Sequence, residues 1–142
     1  MQVENILKSK GAEVYTVLAT APVSDAVKLL NERRIGAVVV VDDDDRVAGI
    51  LSERDIVRHL VGDPAQLLRS PVSGIMTRTV ITCSRLTGVS ELMEQMTRYR
   101  IRHIPIVEDD QLVGIVSIGD VVKRKIEEAE QEAAALKEYI AS

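Results

Sequence analysis

The residues with the most chemical potential lie in two copies of one short motif, Gly49-Ile50-Leu51-Ser52-Glu53-Arg54-Asp55 and Gly114-Ile115-Val116-Ser117-Ile118-Gly119-Asp120. Each copy ends an apolar, strand-like run with a hydroxyl and, three residues later, a carboxylate. At a helix start this spacing makes a cap. The serine oxygen accepts from a first-turn amide and the acid sits near the positive end of the helix, which stabilises it by about 1 kcal/mol. The same geometry also suits an anion, because a helix N-terminus presents free N–H groups. A neighbouring carboxylate can accept hydrogen bonds from ribose hydroxyls. Spacing alone does not choose between a cap and a nucleotide site.

Other reactive side chains are scattered. His103 has no serine or cysteine nucleophile placed beside it, no Cys/His cluster has zinc spacing, and no glycine-rich phosphate loop is present, so the pattern is not that of an enzyme. His103 reads as a phosphate contact or a packed histidine. Four consecutive aspartates, Asp42 to Asp45, follow a β-branched run and suit a hairpin tip, since calcium loops interleave their ligands with spacers and a glycine. Arg98, Arg100 and Arg102, near Tyr99, form the one basic cluster and read as an anion rim.

Composition narrows the class further. A formal charge of −4 argues against a general nucleic-acid binder. The single cysteine, Cys83, has no internal disulfide partner and reads as structural in a reducing compartment. Charges interrupt the N-terminus where a signal peptide would be apolar, and no apolar run approaches the ~18 residues of a membrane span. The expectation is a soluble cytoplasmic protein with no membrane association. With no Phe or Trp and three Tyr, its core must be aliphatic.

The elements that position the motifs come from an internal repeat. At a shift of 66, Val14, Thr16, Val23, Ser24, Arg34, Ile35, Val41, Asp43 and Asp44 recur as Val80, Thr82, Val89, Ser90, Arg100, Ile101, Val107, Asp109 and Asp110. One residue then drops out at the hairpin tip. At a shift of 65, Gly49, Ile50, Ser52, Asp55 and Val57 recur as Gly114, Ile115, Ser117, Asp120 and Val122. Each unit reads strand, helix, strand, strand, helix. Strands are expected at Val14–Val17, Ala37–Val41 and Val47–Leu51, with a helix opened by Pro22 whose Val23, Ala26, Val27 and Leu30 share a face.

The predicted fold is therefore α/β (α+β), with two β-α-β-β-α units packed as a pseudo-symmetric pair. Residues 1–11 form an N-terminal lid or docking helix, 12–62 the first unit, 63–75 a linker with one helical turn near its end, and 76–125 the second unit. Residues 126–142 form a C-terminal helical extension. Its Val122, Ile126, Ala129, Ala133, Leu136 and Ile140 step by four, three, four, three and four, which is a coiled-coil seam. The seam allows a homodimer or a partner helix, and it equally allows a helix lying on its own domain.

Paired units carrying Thr16 or Thr82 after a short strand, then Arg34-Ile35-Gly36-Ala37 or Arg100-Ile101-Arg102-His103-Ile104-Pro105-Ile106-Val107, then Gly-Ile-x-Ser-x-x-Asp, resemble the cystathionine-β-synthase (CBS) domain family. The resemblance covers about residues 12 to 125. It implies a tandem pair with two clefts for adenine nucleotides or related adenosyl ligands such as AMP, ATP or NAD(H), with no catalytic cofactor. It further implies that Asp55 and Asp120 hold ribose, that Ser52 and Ser117 face phosphate, that Thr16 and Thr82 line the clefts, and that Arg102 and His103 reach phosphate. The first unit has Gly36-Ala37 in place of Arg102-His103 and Val39 in place of Pro105. Its missing cation is supplied, on this expectation, by Arg54, and the Asp120 cleft ranks first. The function implied is a regulatory module acting in trans on an unknown protein. The alternative is a ligand-free structural adaptor in which both motifs are caps.

Overall fold

The computed structural model describes residues 1–142. Helix α1 (Val3–Lys10) leads into the first unit: β1 (Thr16–Leu18), α2 (Val23–Arg33), β2 (Ala37–Val41), β3 (Val47–Ser52) and α3 (Glu53–His59). Helix α4 (Pro64–Arg69) and a 3-10 turn (Val72–Gly74) lead into the second: α5 (Val89–Tyr99), β4 (His103–Glu108), β5 (Gln111–Ser117) and α6 (Ile118–Ala141). In the first sheet β1 runs parallel to β2, and β2 pairs antiparallel with β3. In the second, β4 pairs antiparallel with β5.

The second unit lacks a regular first strand, contrary to expectation. Only a single parallel bridge remains there, Cys83 to Ile106. The substitution of Pro105 for Val39 accounts for the difference. In the first unit the Val39 amide donates to the Tyr15 carbonyl at 3.3 Å, whereas Pro105 has no N–H for the corresponding Ile81. The one-residue difference at the hairpin tips falls where expected. Asp42 Oδ1 accepts from the amides of Asp44 and Arg46 across the longer first loop. Asp109 and Asp110, both with positive φ, close the tighter second hairpin.

Each unit completes its core with the segment that precedes the other. Val3, Ile6 and Leu7 of α1 are buried with Leu92, Ile104, Ile106 and Val116 of the second unit. Leu67, Val72 and Met76 join Val23, Leu30, Val38 and Leu51 of the first. Leu67 and Val72, within the stretch expected as a linker, are thus part of a packed core. A fully buried aliphatic side chain contributes about 1.5 to 3 kcal/mol, so neither segment is a loose tether.

The exchange explains the motif glycines. A Cβ on Gly49 would lie 2.9 Å from the Thr77 carbonyl, and one on Gly114 would lie 2.9 Å from Leu7 Cδ2. Both glycines let the crossing segment lie directly on the strand. No helix is long and apolar enough to cross a membrane, and α6 runs without a break through the expected border at 125/126.

Candidate ligand site

Both Ser-x-x-Asp motifs form complete caps. Ser52 Oγ accepts from the Asp55 amide at 3.3 Å while Asp55 Oδ2 accepts from the Ser52 amide at 2.9 Å. The second joint matches, with Ser117 Oγ to the Asp120 amide at 3.1 Å and Asp120 Oδ2 to the Ser117 amide at 2.9 Å. The residue just before β2 or β4 anchors each helix start. The Glu53 amide donates to the Gly36 carbonyl at 3.0 Å, and the Ile118 amide to the Arg102 carbonyl at 2.8 Å.

The two carboxylates differ in what else they hold. Asp55 is 8% exposed, and it also accepts from Ser52 Oγ at 3.1 Å and, through Oδ1, from Thr77 Oγ1 at 3.3 Å. Both of its oxygens are engaged within the protein. At Asp120 the protein's bonds fall on Oδ2 alone: the Ser117 amide and Lys10 Nζ at 2.7 Å. Lys10 also donates to the Ile115 carbonyl at 2.9 Å. Burial pushes the Asp120 carboxyl up, but the Lys10 ammonium and the bonds from Ser117 outweigh it and hold the carboxyl below its ordinary value.

His103 meets the first unit across the pseudo-twofold arrangement. A Cβ on Gly36 would lie 3.2 Å from its Cε1, so the imidazole occupies the place a larger residue at position 36 would need. Burial lowers its pKa, against the opposing pull of Asp120 and Glu53 and with the help of Lys10 and Arg102. Lys10 and exposed Arg102 are the cations whose charge acts on it.

Thr82 is placed elsewhere. It lines a cleft of about 360 Å³ with Arg46, Val47, Arg78, Val80, Val107 and Asp110, and neither Ser117 nor Asp120 borders it. Thr16 is exposed on β1, paired with Val39. Arg54 donates through Nη1 to the Arg100 carbonyl at 3.4 Å and so links the units. Arg34 and Arg100 end α2 and α5 in left-handed geometry, which gives this shared arginine position a structural role.

Lys10, Thr77, Arg46 and Arg78 escaped the sequence reading. Lys10 and Thr77 lie outside the repeated strands, and their partners are visible only once the lead-in segments cross. Arg78 sits beside the junction and Arg46 in a hairpin loop, with no repeated counterpart to single them out.

A crossed, duplicated pair of sheet-and-helix units with a capped carboxylate at each strand-helix joint is the arrangement of a tandem CBS pair. The CBS domain profile matches residues 3–62 and 72–127, and the chain belongs to that family. It is 37% identical over 146 residues to the CBS domain-containing protein CBSX3, mitochondrial, of Arabidopsis thaliana, spanning 97% of this chain and 71% of that protein. It also spans 25% of an inosine-5'-monophosphate dehydrogenase of Methanocaldococcus jannaschii, at 27% identity. Among solved structures, the CBS-domain containing protein ATU1752 of Agrobacterium tumefaciens superposes with a TM-score of 0.83 at 43% identity, covering 87% of this chain and 92% of that one. The CBS domain pair of protein MJ0100, solved with 5'-methylthioadenosine and S-adenosyl-L-methionine, superposes with a TM-score of 0.80 at 26% identity, covering 90% and 98%.

Proposed function

We propose that this chain is a regulatory sensor that binds an adenine nucleotide or related adenosyl ligand, AMP, ATP or NAD(H), in a cleft between its two CBS repeats. As a homodimer it modulates a partner protein in trans. The observation that carries the proposal is the second joint. Asp120 keeps Oδ1 without a protein donor at a helix start whose second position is glycine, with Lys10 and Arg102 nearby as cations for a phosphate. The adenosyl compounds bound to the MJ0100 pair support the ligand class. Free buried Cys83 suits a reducing compartment, and we place the protein in the cytoplasm on that ground.

Calorimetric titration of wild type and Asp120→Asn with AMP, ATP, NADH, S-adenosyl-L-methionine and 5'-methylthioadenosine tests the proposal. The substitution weakens binding roughly ten- to hundred-fold, the equivalent of about 1.5 to 3 kcal/mol for a lost charged hydrogen bond. Absence of binding by any of these at millimolar concentration would sink it. The adaptor alternative has its own support at the first joint, where Asp55 is buried and fully engaged as a cap.

A further inference from the structure

Helix α6 has 24 residues, and only its beginning rests on the body of the protein. Val121 is buried and Arg124 is half-buried, with Arg124 Nε donating to Met1 Sδ at 2.9 Å. The heptad seam faces the other way. Val122 is 46% exposed, Ile126 54%, Leu136 59% and Ile140 74%, and Ala129 and Ala133 between them are exposed as well. The seam therefore does not serve to lay the helix on its own domain.

The residues beside the seam specify an occupant. With Ile126, Ala133 and Ile140 at a and Val122, Ala129 and Leu136 at d, isoleucine at two of the a positions and leucine at the last d position suit a two-stranded parallel pair. Lys125 and Glu132 then fall at g, and Glu130 and Lys137 at e. In a parallel pair each g residue meets the e residue five positions on. Lys125 faces Glu130 of the partner subunit, and Glu132 faces Lys137 of the partner subunit. Symmetry repeats both attractions. The antiparallel register that keeps the seam closed, Ile126 against Leu136, instead sets Lys123 against Lys137, Glu130 against Glu130 and Glu132 against Glu132. Every one of those is a like-charge contact.

We infer that α6 pairs in parallel and in register with α6 of a second copy of this chain. The two alanines bring the helix axes close, toward the lower end of the usual 8 to 10 Å. This extends the homodimer part of the proposed function and is independent of the ligand.

Oxidative crosslinking of Leu136→Cys tests the orientation, because native Cys83 is buried and leaves the new thiol as the reactive one. A disulfide-linked dimer is expected. In the antiparallel arrangement two such cysteines are about 15 Å apart along the axis, beyond disulfide reach. Crosslinking of Ile126→Cys chains specifically to Leu136→Cys chains would overturn the inference. So would a protein that sediments as a dimer while Leu136→Cys stays uncrosslinked; the homodimer itself would then stand on another face. A wild type that sediments as a monomer overturns both. Lys137→Glu raises the dimer dissociation constant about tenfold, and adding Glu132→Lys in the same chain restores it. A Lys137→Glu variant that dimerises as tightly as wild type also counts against the pairing. All these positions are exposed, and circular dichroism checks that the fold is retained.

Discussion

Lys10 Nζ lies 2.7 Å from Asp120 Oδ2, joining residues separated by 110 positions in the chain. The contact exists because α1 leaves its own unit and docks on the other. It gives the second Ser-x-x-Asp a cation where the first has the Thr77 hydroxyl.

Lys10→Met removes that ammonium. Both partners are partly exposed, 30% and 23%, so the expected loss is about 1 kcal/mol at neutral pH. The folded-state pKa of Asp120 is depressed below 3.8, so the pair stabilises the fold above that value. The contribution is lost as pH falls through the folded pKa. The stability gap between wild type and variant, followed by urea unfolding, should close in acid. In the variant, NMR titration should show the Asp120 carboxyl moving up as burial gains ground.

Asp55 and Asp120 should respond differently to amide substitution. Asp55→Asn replaces a buried acceptor of three side-chain and backbone donors and leaves at least one donor poorly matched, costing about 1 to 3 kcal/mol. Thermal denaturation measures this. A loss no larger than that of Asp120→Asn would contradict the greater structural commitment assigned to the first carboxylate.

The glycines should also separate. Gly49→Ala drives a methyl group against the Thr77 carbonyl, backbone that cannot rotate away, and against Met76 Sδ at 2.6 Å. A cost of about 1 to 3 kcal/mol is expected. Gly114→Ala meets chiefly the flexible end of Leu7 and should cost less. Chemical denaturation of the two variants side by side decides the order.

His103 contributes a pH dependence of known sign. Its folded pKa lies below 6.5 because it is half-buried. Between the two values the unfolded chain holds more protons, so stability rises with pH and falls as pH drops through 6.5, levelling below the folded pKa. Urea midpoints between about pH 5 and about pH 7.5 should show this slope, reduced in His103→Gln. A slope unaltered by the substitution would assign it to other groups.

Much of the molecule could be read from local pattern. The shared residues at shifts of 66 and 65 marked two units, Ser52 and Ser117 marked helix starts, and the aspartates at the hairpin tips marked turns. Capping, turn geometry and periodicity depend on neighbours within a few residues, so sequence expresses them directly. The absent first strand of the second unit was legible in principle, since the proline that removes the donor was in view.

What the sequence determined by itself was the duplication, the identity of each element and the carboxylate at each joint. Tertiary structure alone decided that the lead-in segments exchange units. It thereby brought Lys10 to Asp120 and Thr77 to Asp55, packed His103 against Gly36, and left the α6 seam open. The physical reason is that these relations depend on which apolar faces bury one another. Val3, Ile6 and Leu7 would suit either aliphatic core, and only the packed chain shows which of the two they fill.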